Sequence, residues 1–214
     1  MKQTLPPVFD DGFRSSLIEL FKWRRDVRSF LPTPVPQIIL DGLLKLTDLA
    51  PSVGLSQPWR FIMVNDENRR AAVRANFEVC NREALLLQSE SRAGIYAKLK
   101  LSGLKEAPCQ FAVCTEFDPE QGHGLGRQTM PEMTNYSTVL AIHTLWLAAR
   151  TYGLGLGWVS ILDPAYVITI LDVPKSWQLT GYFCLGYPSL PSDTPELERM
   201  GWEQRRSSPS ILYR

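Results

Sequence analysis

Apolar positions recur at helical and strand spacings along the chain, and their order outlines a fold. Phe13, Leu17, Ile18, Leu20 and Phe21 form one stripe behind Asp10 and Asp11, either of which can cap a helix running to about Lys22. After the proline-rich connector LPTPVP (31–36), Ile38, Ile39, Leu43, Leu46 and Leu49 predict one face of a second helix over about 36–49. The turn-rich stretch APSVGLSQP (50–58) leads into RFIMVN (60–65), which reads as a buried strand. Residues 66–106 carry two helical stretches separated around Asn81 to Ser91, the second holding Tyr96, Lys98, Lys100 and Leu101 between Gly94 and Gly103. This excursion, about 82–106, reads equally as a lid over a site and as a surface helical pair.

QFAVCTE (110–116) is the next strand. TVLAIHTLWLAAR (138–150) is apolar around nearly its whole circumference, which suits a core or an obligate interface, and His143 within it reads as a core histidine. GLGLGWVSI (153–161) turns into a strand, a short helix follows over about 164–171, and LTGYFCLGYP closes the series. The ends are different in kind. Residues 1–9, with two prolines, read as a mobile arm, and the polar tail 189–214 carries Trp202, Ile211 and Leu212 as anchors onto another surface, where it can add a strand to a partner chain. Strands separated by helices in 214 residues predict a single layered domain, α/β or α+β, with four strands.

Composition narrows the function. Apolar residues make up 44% and charged residues 21%, and the net charge of +1 argues against nucleic-acid and anionic-membrane partners. Four cysteines without CxxC spacing read as buried free thiols in a reducing, cytoplasmic setting. Two histidines argue against a histidine metal site. The N-terminus lacks a signal-peptide core, and no apolar run is long enough to span a membrane. GHGLGR (122–127) lacks the GxGxxG fingerprint and its strand–turn–helix setting, so it reads as a mobile loop.

The basic residues are concentrated in KWRRDVRSF (22–30), where Arg24, Arg25 and Arg28 surround Asp26. Guanidinium forks bind phosphate oxygens in pairs, so the cluster matches a dianionic phosphate; the alternative is a solvated charged turn. Helix stability does not explain it, since like charges four apart cost a helix about 0.2–0.5 kcal/mol. Two further segments, Ser52/Ser56/Gln57/Pro58/Trp59 and Gly155/Gly157/Trp158/Ser160, set polar groups beside aromatic or small residues. Together the three suit a planar, amphipathic, phosphate-bearing ligand.

RRDVRSF, APSVGLSQPWRF and GLGLGWVSILDP, in this order, resemble the flavin-site motifs of the nitroreductase-like FMN proteins. RRD together with GWVSILDP, supported by LKLSGLKEAP and GLGRQTMPEM, is similar more narrowly to the 5,6-dimethylbenzimidazole synthases; the resemblance covers residues 12–203. It implies a nitroreductase-like fold with a central mixed β-sheet, and an intertwined homodimer with two flavin sites at its interface. The implied reaction fragments reduced FMN with dioxygen. Ribityl C1′ becomes C2 of 5,6-dimethylbenzimidazole, the lower ligand of vitamin B12, and erythrose 4-phosphate leaves. FMN is then the substrate, with NAD(P)H only an indirect reductant through a separate flavin reductase.

The resemblance also implies roles. Asp26 stands where general nitroreductases usually carry serine, and becomes the leading acid/base; a salt bridge fixing the arginines is the plainer role. Flanking arginines should lower its pKa by about 1–3 units from about 3.9 unless desolvation dominates. Ser160 is the second catalytic residue, bonding the flavin near N5. Arg24, Arg25, Val27 and Arg28 hold the phosphate end, Ser52, Ser56 and Gln57 the ribityl chain or ring edge, and Ile161 and Leu162 flank Ser160. Leu99 caps the ring, and Met130, Pro131 and Glu132 approach it from the partner subunit. Arg205 and Arg206 match the superfamily's C-terminal phosphate element poorly and read as charged surface. Two other functions fit the motifs: an FMN-dependent NAD(P)H oxidoreductase that keeps its flavin, and a non-catalytic flavin-binding protein.

Overall fold

The structure, a computed structural model, describes residues 5–99 and 101–214; Met1–Thr4 of the N-terminal arm and Lys100 lie outside them. Asp10 accepts the backbone N–H of Phe13 and so starts α1 (Asp11–Trp23) where the sequence expects it. The elements that follow are α2 (Gln37–Leu46), β1 (Trp59–Met63), α3 (Glu67–Leu86), α4 (Glu90–Tyr96), α5 (Gly103–Glu106) and β2 (Cys109–Glu116). After them come α6 (Met133–Thr151), β3 (Gly155–Val159), α7 (Pro164–Ile170), β4 (Trp177–Gly186) and α8 (Glu196–Arg199).

Among the described residues the strands form one sheet in the order β1-β2-β4-β3, and every ladder is antiparallel. This corrects the expected mixed sheet. β2 and β3 do run parallel, but β4 lies between them, so no neighbouring ladder is parallel. An isolated bridge from Asp26 to Leu156, on the outer edge of β3, is the one parallel pairing among the described residues.

Alternation along the strands divides the core in two. Phe111, Val113, Phe183 and Leu185 pack with Leu43, Ile142 and Leu145 of α2 and α6. Ala112, Cys114, Tyr182 and Cys184 pack on the other face with Val73 of α3 and Val167 of α7. Burial pushes the thiols up, Cys114 to about 11 and Cys184 to about 12, so both stay protonated.

Several boundaries and faces differ from expectation. α3 continues through Asn81 to Leu86, so the helical break before the lid is shorter than expected. α2 buries Leu40 and Leu43, while Ile38 is 82% exposed, because the helix turns its 40/43 side to α6. His143 points outward, since Ile142, Leu145, Trp146 and Ala149 take the inner face of α6. The tail forms no strand among the described residues; Trp202 instead lies 6.0 Å from Tyr96 of its own chain and 4.9 Å from the Arg92 guanidinium. The glycine-rich loop is tied down. Gln121 donates to Leu55 O at 2.7 Å and to Gln57 Oε1 at 3.0 Å, and Gly122 packs against the backbone of Gly54.

Candidate active site

The site is built where the chain leaves α1. Arg24 abandons helical geometry (ψ 110°), and the chain runs extended along β3. Val27 N–H donates to Leu156 O at 3.1 Å, and Trp158 N–H donates to Asp26 Oδ1 at 2.9 Å. The approach is close enough to require glycine. A Cβ on Gly157 would overlap the Val27 carbonyl oxygen, and one on Gly155 would lie 2.5 Å from Val27 Cγ2. The alternation GLGLGW is thus the seat of the RRDVR segment.

Trp146 of α6 anchors the same segment from behind. Its indole N–H donates to Arg25 O at 3.1 Å, and the Arg24 guanidinium lies 5.0 Å from its ring centroid. The Arg25 guanidinium reaches back to the Lys22 and Phe21 carbonyls at the C-terminal end of α1, while its Nε is buried with no partner. Arg28 Nε stands 3.6 Å from Asp26 Oδ2. Arg205 is exposed, as a surface charge would be, and it also lines a cleft together with Arg24, Arg25, Asp26 and Arg28. Burial first, and the facing Arg205 second, lower the pKa of both Arg24 and Arg25. Such a crowd of cations around one carboxylate is relieved by an anion.

At Asp26 desolvation dominates, the case in which the flanking arginines do not lower the pKa overall. Its pKa is raised, because enclosure by the cleft walls outweighs the Trp158 N–H and the Arg28 charge. The carboxylate nonetheless stays reachable, with 41% of its side chain exposed. Ser160 follows β3 directly, and its side chain shares a cavity of about 200 Å³ with Asp26, Arg28, Tyr96, Leu99 and Ile161. On the other side of the RRDVR segment a larger cleft, about 470 Å³, is lined by Arg24, Arg25, Asp26, Val27, Trp146 and tail residues near Glu196. Leu162 packs into the core instead of lining the cavity.

The remaining expected residues lie elsewhere. Ser52, Ser56, Gln57, Met130, Pro131 and Glu132 line none of the cavities around Asp26. Ser52 Oγ accepts the Gln57 N–H at 3.1 Å, and the Ser56 hydroxyl is buried without a partner. Leu55 and Gln57 both hold positive φ, a strained geometry that a functional surface can justify. Pro58 and Trp59 are buried, and Trp59 belongs to the core. The sequence reading passed over Phe77 and Asn81, which line the Asp26–Ser160 cavity from α3. Their i, i+4 spacing, which puts both on one face of α3, was the available signal.

This fold and this arginine–aspartate site define a member of the nitroreductase family, whose model matches residues 21–187, and the chain belongs to that family. Within it the chain is similar to the 5,6-dimethylbenzimidazole synthase of Rhodospirillum rubrum, at 53% identity over 96% of this chain and 97% of that one. A 5,6-dimethylbenzimidazole synthase of Rhodobacter capsulatus is 46% identical over 92% of this chain and 95% of its own length. Among solved structures, oxidised iodotyrosine deiodinase bound to FMN and 3-iodo-L-tyrosine matches with a TM-score of 0.69 and 26% identity, covering 92% of this chain and 97% of that one.

Proposed function

We propose that this protein is a 5,6-dimethylbenzimidazole synthase, fragmenting reduced FMN with dioxygen to give the benzimidazole that serves as the lower ligand of vitamin B12, erythrose 4-phosphate, and the pyrimidine part of the ring as a third fragment. One observation carries the reading beyond family membership: the Asp26 carboxylate and the Ser160 hydroxyl share one small cavity, beside an arginine cluster suited to phosphate. Two relatives of that name, at 53% and 46% identity, support it.

The residues present fit FMN. Arg24, Arg25, Arg28 and Arg205 hold its phosphate, and the orphaned Arg25 Nε is a donor waiting for an acceptor. Reduced FMN supplies the carbon skeleton and the electrons that dioxygen accepts. The protein's part is proton management. Trp158 N–H fixes Asp26 Oδ1, leaving Oδ2 to take up and return a proton. A pKa raised from the ordinary carboxylate value moves this group toward neutrality, where proton transfer in both directions is most efficient. Ser160 Oγ donates a hydrogen bond to the ring, and Tyr96 and Leu99 line the wall of the cavity that the ring enters.

The second half of the ring site comes from a partner copy. Ser56, Gln57 and Met130–Glu132 lie outside the Asp26 cavities of their own chain, and the Ser56 hydroxyl is buried without a partner. The apolar stripe of α1 is open, with Phe13 at 46%, Ile18 at 54% and Phe21 at 48% exposure, which suits an interface. The reducing equivalents come from a separate flavin reductase that uses NAD(P)H.

Incubating the purified protein with reduced FMN in air and analysing products by mass spectrometry tests the proposal. Accumulation of 5,6-dimethylbenzimidazole is the expected result. Intact flavin with NAD(P)H turnover would assign the protein to the flavin-retaining oxidoreductases instead.

A further inference from the structure

The cavity that joins Asp26 to Ser160 has a third polar wall. α3 turns Phe77 and Asn81 into it from one face. Opposite stands α4, whose Tyr96 hydroxyl donates to Asn81 Oδ1 at 2.9 Å, across 15 positions of sequence. That bond occupies the amide oxygen of Asn81 and fixes the plane of the amide. Its NH2 group, with two donors, makes no hydrogen bond to any described residue.

The other polar groups in the cavity are distributed differently. Asp26 Oδ1 is occupied by Trp158 N–H, and Oδ2 is turned toward Arg28. The Tyr96 hydroxyl proton is committed to Asn81. Ser160 offers one hydroxyl. The rest of the lining is largely apolar, including Phe77, Leu99, Leu101 and Ile161. At about 200 Å³ the cavity is smaller than the roughly 300–1,000 Å³ that encloses a whole drug-sized ligand, so it takes one end of a ring system. An apolar slot with a few fixed donors recognises the acceptors on the edge of a heteroaromatic ring.

We propose that Asn81 is a substrate-binding residue, its amide NH2 donating to a carbonyl or ring-nitrogen acceptor of the heterocycle that enters the cavity, with Tyr96 as the positioning residue that orients it. This rests on the reading of reduced FMN as substrate. Asn81 acts on the ring, in contrast to the arginines, which act on the phosphate. Tyr96 serves two ends at once, since the bond that aims Asn81 also fastens α4 to α3.

The test separates contact from fastening. Anaerobic titration with reduced FMN gives a dissociation constant for wild type, Asn81→Ala, Asn81→Asp and Tyr96→Phe, with circular dichroism as the control for folding. Loss of the donor is expected to weaken binding about 3- to 10-fold in Asn81→Ala. Asn81→Asp keeps the size and the acceptor for Tyr96 but has no N–H, and should bind at least as weakly. Tyr96→Phe removes the bond that both aims the amide and fastens α4 but leaves the NH2 donor in place, so its loss should be smaller than that of Asn81→Ala. Equal losses in Asn81→Ala and Tyr96→Phe would reduce Asn81 to a fastener and overturn the proposal, as would wild-type binding by Asn81→Asp. A wild type that binds no reduced FMN would overturn the substrate reading together with this one, whereas a binding wild type with indifferent Asn81 variants would overturn this one alone.

Discussion

At the scale of single residues, the proposed chemistry depends on a carboxylate kept in an unfavourable place. The Asp26 pKa is raised chiefly by enclosure, with Trp158 N–H and Arg28 opposing. The folded state therefore holds this proton to a higher pH than the unfolded chain, whose value is about 3.9. Across that window the native state binds more protons, so the Asp26 contribution to stability falls as pH rises through it. Asn at this position can still accept from Trp158 and carries no charge. Asp26→Asn should thus lose product formation while melting at or above the wild-type temperature at pH 7, with any advantage shrinking as the pH falls toward 4. A calorimetric pH series read beside product assays checks both halves, and a variant with wild-type turnover would remove Asp26 from the reaction.

The arginines make a separable prediction. If Arg25 serves the phosphate, Arg25→Ala should lose about 1.5–3 kcal/mol of FMN binding, as for a hydrogen bond to a charged group. Riboflavin, which has no phosphate, should bind equally to both proteins. Parallel fluorescence titrations with the two flavins measure the difference.

At the scale of elements, the site exists because an extended segment can lie flush on β3. Gly157 is the residue that permits it. Gly157→Ala should push Val27 away, break the Val27–Leu156 and Asp26–Trp158 bonds and cost about 1–3 kcal/mol through overpacking. Urea denaturation gives the stability loss, and flavin affinity should fall with it. Element positions were legible where local chemistry is decisive: the Asp10 cap, the strands around Phe61, Val113 and Phe183, and glycines bordering a polar cluster. The faces of α2 and the orientation of His143 were not, because either side of an apolar helix can be the inner one until its neighbours are known. The direction of the Asp26 shift was equally hidden. Sequence reveals the neighbouring charges but not the depth of the cleft, and depth dominates.

At the scale of the whole molecule, the residues proposed to meet the flavin do not all face one set of cavities within a single chain. Arg24–Arg28 and Ser160 lie around one set of cavities, and Ser56, Gln57 and Met130–Glu132 lie outside them. A shared site across a homodimer makes complementation possible. Arg25→Ala and Gln57→Ala proteins, each impaired alone, should regain activity when unfolded and refolded together, since each mixed dimer restores one intact site and random pairing leaves about a quarter of all sites whole. Light scattering should report two chains per particle. Failure to complement, or a monomer, would confine the site to one chain.

The most direct test of the central claim follows the carbon. Reduced FMN labelled with carbon-13 at ribityl C1′ is given to the protein in air, and the products are resolved by mass spectrometry and carbon NMR. A protein that fragments its flavin between Asp26 and Ser160 should deliver the label to C2 of 5,6-dimethylbenzimidazole, leave erythrose 4-phosphate unlabelled, and do neither as the Asp26→Asn variant. Label recovered wholly in intact FMN, or benzimidazole formed without it, would contradict the account.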